Sequence, residues 1–202
     1  MSFTIASRLA DLPRPSTIAM AARARELKAQ GADVISLALG QPDFPSPPEA
    51  IEAAYAAAKA GDTGYPPIPG QKPLIDAIIR KFRRDNALNV TSDRIMVANG
   101  GKQVIFNALM ASLEVGDEVI VPAPYWVSYP LITRMLGGVP VEIRCREENG
   151  FRPDPDAIRE AITPRTKWLV LNFPNNPTGA ILERQDLEAI ADVLREAPHV
   201  LV

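Results

Sequence analysis

The stretch Trp168-Leu-Val-Leu-Asn-Phe-Pro-Asn-Asn-Pro-Thr-Gly179 determines how the surrounding chain is expected to fold. Its first four residues, Trp168 to Leu171, are apolar and predict a buried β-strand. The strand gives way at once to a loop rich in asparagine and proline, and a helical pattern begins near Glu183. Polar side chains at the carboxyl end of such a strand lie where α/β proteins bind their ligands.

Asn176 is the candidate ligand-binding residue of this loop. It lies between Asn175 and Pro177, and Pro174 and Pro177 restrict the backbone around it. A side-chain amide held in place offers one acceptor and two donor hydrogens to a polar ligand. The alternative is an ordinary strand-to-helix turn, in which asparagine serves only its turn-forming chemistry. The loop by itself leaves both interpretations open.

The composition argues against several classes of protein. The chain has 202 residues and 47% hydrophobic content, which suffices for a sizeable core in about one to one and a half domains. Its net charge of −2 provides no strong field for nucleic acid or anionic membranes. A single cysteine, Cys145, excludes an internal disulfide and fits a structural thiol. A single histidine, His199, makes a Ser/His/Asp triad or a His-rich metal site improbable, so no metal is expected.

The sequence also carries no sign of membrane insertion or export. No apolar run approaches the roughly 18 residues of a membrane-spanning helix, and the N-terminus has no signal-peptide core. We therefore expect a cytoplasmic protein. The 20 prolines cluster at the boundaries of predicted elements, so they mark turns rather than disorder.

Alternating strands and helices predict an α/β fold. A helix from about residue 15 to 30 has Ser16 or Thr17 as its expected cap. The apolar strand patterns are typical of parallel strands, which favours a mostly parallel, doubly wound sheet with helices on both faces. Further helices are predicted at 49–60, 72–86, 102–113, 127–136, 155–162 and 183–197, and strands at 34–39, 95–98, 119–121, 139–145, 168–171 and 199–202.

A glycine turn precedes the helix predicted at 102–113. In Ala98-Asn-Gly-Gly-Lys-Gln103, Gly100 and Gly101 let backbone N–H groups approach an anion, and the helix dipole favours a phosphate there. The spacing matches neither a P-loop nor the dinucleotide-binding fingerprint. The alternative is a tight turn followed by a solvated lysine, Lys102.

Other segments supply aromatic rings and further glycines. Pro122 to Tyr129 follows a strand and should reach the same sheet edge, where Trp126 or Tyr125 can stack on a planar ligand or pack beneath the loop. Tyr65 can offer a hydroxyl to a neighbour or cover apolar surface, and Gly40 can present its N–H to a ligand or turn the chain. A phosphate turn, a flat aromatic ring and an oriented amide together suit a phosphorylated, aromatic cofactor.

Five motifs in order carry a resemblance to a known family: Ser36-Leu-Ala-Leu-Gly-Gln-Pro-Asp-Phe, Thr63-Gly-Tyr-Pro-Pro, Asn99-Gly-Gly-Lys-Gln, Pro124-Tyr-Trp-Val-Ser-Tyr-Pro and Asn172-Phe-Pro-Asn-Asn-Pro-Thr-Gly. The chain resembles a class I aminotransferase of the aspartate aminotransferase type, a fold-type I enzyme that depends on pyridoxal 5′-phosphate (PLP). It is most similar to the bacterial subgroup with a lysine after the two glycines. The resemblance covers essentially all 202 residues.

The resemblance implies a cofactor role for several residues. Gly100, Gly101 and the backbone of Lys102 match the turn that holds the PLP phosphate. Trp126 matches the aromatic residue that stacks on the pyridine ring. Asn176 matches the amide that bonds the phenolic oxygen of PLP and helps to place the substrate carboxylate.

Substrate and partner contacts are implied in the same way. Gly40 matches the glycine whose backbone meets the substrate carboxylate, and Trp126 and Asn176 border the same substrate. The side chain of Lys102 matches the lysine that reaches the distal carboxylate of an acidic substrate. Tyr65 matches the tyrosine that reaches the phosphate across a dimer interface, so the resemblance implies a homodimer.

The resemblance also implies a division of the chain and an incomplete site. Residues 1–45 match a segment of the family's small domain, and residues 46–202 match the PLP-binding large domain, which we expect to be incomplete and to end inside a strand. The family's Ser-Asp-Glu-x-Tyr stretch, its C-terminal arginine and its Schiff-base lysine have no counterpart among these 202 residues. No catalytic residue is therefore assigned.

Three functions remain open at this point. The first is PLP-dependent transfer of an amino group from aspartate or a related amino acid to a 2-oxo acid, in a complete form of the enzyme. The second is a non-catalytic protein that only binds a phosphorylated ligand or a partner chain. The third keeps PLP but catalyses a lyase or decarboxylase reaction, because a fold alone does not fix the chemistry.

Overall fold

The computed structural model describes residues 4, 6, 9, 16–38, 40 and 42–202, and for Ser16 and Thr17 it describes the backbone alone. The capping side chains predicted at these two positions therefore lie outside the described part. The described chain divides into a compact unit of residues 16–101 and a second unit built on residues 102–202. The expected division near residue 45, into a small-domain segment and a large domain, stays a prediction.

The unit of residues 16–101 is helical. The pattern of residues 72–86 predicted its third helix to the residue, and Ile75 on the apolar face of that helix is buried. The short 3₁₀ helix was not predicted, because three residues are too few for a periodic pattern. The unit contains α1 (Ser16–Ala29), α2 (Pro48–Lys59), α3 (Lys72–Asn86) and a 3₁₀ helix (Ser92–Arg94).

Two strands predicted for this unit are wrong. Residues 34–38 form no strand, and Ile35 and Leu37 are 87% and 92% exposed; Leu39, the last residue of that prediction, lies outside the described part. Residues 95–98 form no strand either, and the Val97 N–H donates to the carbonyl of Pro69 at 2.9 Å. An apolar run becomes a strand only where a neighbouring strand pairs with it.

The unit of residues 102–202 is an α/β structure around three parallel strands in the order β2-β1-β3. Like the 3₁₀ helix of the other unit, its 3₁₀ helix at Glu147–Asn149 was not predicted from the sequence. The elements are α4 (Gly101–Ser112), β1 (Glu118–Ala123), α5 (Ser128–Met135), β2 (Val139–Arg144), a 3₁₀ helix (Glu147–Asn149), α6 (Pro155–Ala161), β3 (Thr166–Leu169) and α7 (Arg184–Arg195).

Both faces of this sheet are covered, as the sequence predicts. Alternate residues of β1 point to opposite faces, so Ile120 lies in one core and Val119 and Val121 lie in the other. The Ile120 core also contains Ile158 of α6 and Ile190 of α7, while α4 and α5 contribute to the second core. The chain therefore passes over one face between β1 and β2 and over the other between β2 and β3, which is the doubly wound arrangement.

The observed strand boundaries differ from the predicted ones, by a single residue in β2, which ends at Arg144 rather than at Cys145. β1 begins at Glu118 and continues through Pro122 to Ala123, where it pairs only with β2, because the pairing with β3 ends at Ile120. Beyond that point β1 is an edge strand, and an edge strand tolerates a proline.

β3 begins at Thr166, two residues before the predicted Trp168, since Thr166 pairs with buried Glu118. It ends at Leu169, two residues before the predicted Leu171, because its pairing with β1 ends there. Where a strand was predicted at 199–202, the structure has a single bridge between Leu201 and Trp168. One paired residue is too few to make a strand.

A buried carboxylate marks the start of β1. The side chain of Glu118 is 7% exposed and accepts hydrogen bonds from the hydroxyl of Thr163 and from the guanidinium of Arg165, the latter at 2.7 Å. The bond from Thr163, followed by those from Arg165, lowers the pKa of Glu118 although desolvation opposes the shift. The ionised form is therefore favoured in the folded state, and it ties the turn of residues 163–165 to the sheet.

Glu118→Gln is expected to destabilise the folded chain at neutral pH by about 1 kcal/mol, because charge-assisted hydrogen bonds are lost. A carboxyl group with a lowered folded-state pKa stabilises the fold above its ordinary pKa of about 4.3, and this stabilisation disappears as the pH falls through the folded-state value. The difference between wild type and variant should thus be present at pH 7 and shrink below about pH 4. Urea denaturation at a series of pH values measures it, and a difference that stays constant with pH would contradict the assignment.

Candidate functional site

Two loops meet at the carboxyl edge of the sheet in the unit of residues 102–202. We call residues 124–127, which follow β1, the Trp126 loop, and residues 172–179, which come after β3, the Asn176 loop. Because β1 and β3 are parallel neighbours, their carboxyl ends lie side by side. The structure therefore brings together the two loops that the sequence singled out, at the place where α/β sheets bind ligands.

Lys102 and Trp126 form the charged and aromatic part of this edge. The ammonium nitrogen of Lys102 lies 4.9 Å from the centroid of the Trp126 ring. The ring also makes an edge contact with Tyr129, with centroids 5.5 Å apart and planes at 88°. Lys102 is exposed and Trp126 is half-buried. The contact with Tyr129 thus holds the indole ring of Trp126 in place. The contact with the exposed ammonium of Lys102 shows that polar groups can reach the same ring.

Tyr125 has a different role from its neighbour. Its hydroxyl donates a 2.6 Å hydrogen bond to Glu142 on β2, whose carboxylate also lies 4.0 Å from the guanidinium of Arg134. Desolvation, assisted by the bond to Glu142, raises the pKa of Tyr125 to about 12. The hydroxyl therefore stays protonated at neutral pH and anchors the Trp126 loop, so Trp126 is the better candidate of the two for stacking.

The Asn176 loop is held by its own asparagines. The backbone N–H of Asn176 donates to the side-chain oxygen of Asn172 at 3.3 Å, and the Asn176 residue is exposed. The side-chain nitrogen of Asn175 donates to the carbonyl of Pro124 in the Trp126 loop at 2.9 Å. Asn176 therefore lies on a fixed backbone beside the Trp126 loop, and its role toward a ligand stays a prediction.

The space beneath the two loops is too small for a ligand. A cavity of about 10 Å³ lies there, bordered by Tyr125, Asn172, Asn175 and Cys145 among others. This volume holds about one water molecule. Cys145 is buried, and desolvation raises the pKa of its thiol, so it is suited to packing rather than to nucleophilic chemistry. Lys102 and Asn176 are exposed, so a ligand that contacts them would bind outside this small cavity.

Four other candidate residues belong to the unit of residues 16–101 and are described there. Gly100 has a φ of +87°, a conformation that favours glycine, and a Cβ added to Gly100 or Gly101 would meet no described atom within 4 Å. This turn is open, as a backbone anion site requires. Tyr65 is fully exposed and Gly40 is exposed. The roles of these four residues stay predictions.

Sequence reasoning missed Asn172, Asn175 and Glu142. All three act through contacts that hold other residues rather than through contacts with a ligand. Asn175 and Pro124 are 51 positions apart, and Tyr125 and Glu142 are 17 apart, so no local pattern links them. The motif that contains Asn172 and Asn175 was recognised, but only Asn176 within it was given a role.

Within the described ranges, no three His, Cys, Asp or Glu side chains lie close enough together to hold a metal ion. None of the helices described is both long enough and apolar enough to cross a membrane.

Comparison with known proteins gives concordant matches. The family described as aminotransferase class I and II matches residues 32–202. The aspartate/prephenate aminotransferase of Thermus thermophilus is 49% identical over 197 residues, which cover 97% of this chain and 51% of that protein.

Solved structures extend the similarity to the fold. The crystal structure of the aspartate aminotransferase from Rhizobium meliloti aligns with a TM-score of 0.94 at 43% identity, over 98% of this chain and 50% of that one. The Thermus thermophilus aspartate aminotransferase with maleate aligns with a TM-score of 0.92 at 47% identity, over 96% of this chain and 51% of that one. The chain thus spans about half the length of the relatives it matches.

Proposed function

Because the chain belongs to the aminotransferase class I and II family, we propose that the protein takes part in PLP-dependent transfer of an amino group from aspartate or a related amino acid to a 2-oxo acid. The observation that carries this proposal is the meeting of Lys102, Trp126 and the Asn176 loop at one sheet edge. A charged, planar cofactor and its acidic substrate require an ammonium group, a flat ring and an amide on a fixed backbone.

The residues of this edge fit PLP. Trp126 offers an aromatic surface for a pyridine ring, and the exposed amide of Asn176 can donate to an oxygen on that ring. The open turn at Gly100 and Gly101 would supply backbone N–H groups to the phosphate. When bound, PLP supplies the electron sink for the reaction, and the protein supplies binding and orientation.

The same residues favour an acidic amino donor. The exposed ammonium of Lys102 lies beside the ring of Trp126, where it can pair with a carboxylate of the substrate. Gly40 would present its backbone to the other carboxylate of a dicarboxylic substrate. The relatives named above carry aspartate in their names, and one of them was solved with maleate, a dicarboxylate.

A second copy of the chain is the proposed partner. Tyr65 is fully exposed and lies in a segment rich in proline, which restricts the backbone around it. A tyrosine hydroxyl in this situation is available to a neighbouring protomer, where it would reach the cofactor phosphate. The proposed assembly is a homodimer, with no role for nucleic acid or membrane.

The proposal is tested with a form of the protein that spans the full length of its relatives. This form should bind PLP and transfer the amino group of aspartate to 2-oxoglutarate. Asn176→Ala is expected to weaken PLP binding about tenfold, because one hydrogen bond to a charged group is lost. Fluorescence titration with PLP measures the affinity, and a coupled assay measures the transfer.

The matched control is Gln185→Ala, which removes an exposed amide from α7 and should leave PLP affinity unchanged. A wild-type protein that binds PLP but transfers no amino group, while it decarboxylates or cleaves the amino acid, would replace the proposal by a lyase function. Equal affinities for PLP in the wild type and in Asn176→Ala would remove Asn176 from the site.

A further inference from the structure

The proposed function needs two loops that are far apart in the sequence to keep one arrangement. Trp126 and Asn176 would contact the same planar ligand, yet they are carried by loops that follow different strands. Each loop has local support, Trp126 from Tyr129 and Asn176 from Asn172. Local support fixes each group within its own loop but does not fix the distance between them.

One side chain joins the two loops directly. The side-chain nitrogen of Asn175 donates to the carbonyl of Pro124 at 2.9 Å and to the hydroxyl of Thr178 at 3.0 Å. A side-chain amide has two donor hydrogens, so both are used. The first bond crosses to the Trp126 loop, and the second stays within the Asn176 loop. The half-buried position of Asn175 limits competition from water for these bonds.

The backbone of Asn175 is fixed as well. Its N–H donates to the carbonyl of Ala180 at 2.8 Å, and its own carbonyl accepts from the N–H of Gly179 at 2.8 Å. These two bonds close the Asn176 loop on itself around Asn175. The side chain of Asn175 thus extends from a fixed backbone. Because this backbone is fixed, the hydrogen bond from Asn175 to Pro124 can determine the distance between the two loops.

We infer that Asn175 is a positioning residue, whose amide clamps the Trp126 loop to the Asn176 loop and so holds Trp126 and Asn176 in the arrangement that binds the cofactor ring. This inference rests on the proposed function for its ligand, but the clamp itself is a property of the ligand-free protein. Aspartate cannot replace asparagine here, because an ionised carboxylate has no donor and would face the carbonyl oxygen of Pro124.

Quenching is measured on the ligand-free 202-residue chain with Trp168→Phe as background, so that Trp126 is the one left of its 2 tryptophans. PLP affinity is measured on the form that spans the full length of the relatives. In ligand-free protein, Asn175→Ala should raise the rate constant for acrylamide quenching of Trp126 about twofold, because the loop is released. The same variant should raise the dissociation constant for PLP about tenfold. Asn175→Asp should have at least as large an effect on both measurements.

Thr178→Val is the matched variant, because it removes the bonds that the Thr178 hydroxyl accepts from Asn175 and from the N–H of Ala180, and it keeps the bond to Pro124. It should leave Trp126 quenching unchanged. If Thr178→Val and Asn175→Ala raise quenching equally, the effect comes from the fold of the Asn176 loop, and the clamp is refuted. Unchanged quenching in Asn175→Ala also refutes it. If quenching rises as expected but the parent protein binds no PLP, the clamp stands and the proposed function fails.

Discussion

Ile120→Ala is expected to lower the free energy of unfolding by about 2–5 kcal/mol, the usual cost of removing a large aliphatic side chain from a packed core. Ile120 is fully buried on the central strand, between α6 and α7 on one face of the sheet. The cavity left by the truncation would be surrounded by β-branched and leucine side chains of several elements, which cannot all move to fill it. Urea denaturation monitored by circular dichroism measures the loss.

The matched control is Ile181→Ala, which removes the same atoms from a side chain that is 56% exposed. It should cost less than about 1 kcal/mol, because exposed positions away from special features tolerate substitution. Equal losses for the two variants would mean that Ile120 is not part of a closely packed core. The comparison thus tests whether the two-sided packing of the sheet stabilises this chain.

The core could be predicted from sequence because its signal is local. Each apolar run is short, continuous and bounded by turn residues, which is the pattern of a strand buried on both faces. The helices of the unit of residues 16–101 were predicted for a similar reason, since Ile75 and its neighbours on α3 recur at the helical period. The failures at 34–38 and 95–98 concern segments with the same apolar pattern but no paired neighbour.

The candidate site shows the same division between local and distant information. Asn176, Trp126 and Lys102 could be proposed as site residues because each lies in a short motif that is visible in the sequence. The contacts that hold them, from Asn175 to Pro124 and from Tyr125 to Glu142, join positions far apart in the chain. Such contacts depend on how the strands are arranged in three dimensions. Local patterns in a single sequence do not show that arrangement, so these contacts could not be predicted.

Under the proposed function, substrate specificity gives the second large effect, in a form of the protein that spans the full length of its relatives. In such a form, Lys102→Ala is expected to lower kcat/KM for aspartate roughly thirtyfold more than for phenylalanine, a difference of about 2 kcal/mol. Under the proposed function, the ammonium group of Lys102 would pair with the distal carboxylate of aspartate, whereas phenylalanine has no charge there. The position of the Lys102 ammonium, 4.9 Å from the ring of Trp126, places this cation beside the proposed stacking surface. Steady-state kinetics with both donors measures the ratio.

Lys59→Ala is the matched control, since it removes another exposed lysine whose ammonium lies over an aromatic ring, 6.0 Å from the centroid of Tyr55. It should leave both kcat/KM values unchanged. An equal loss for aspartate and phenylalanine in Lys102→Ala, together with weaker PLP binding, would assign Lys102 to the cofactor phosphate. The preference for an acidic donor would then have to come from a residue other than Lys102, because the charge at this position would be taken up by the phosphate.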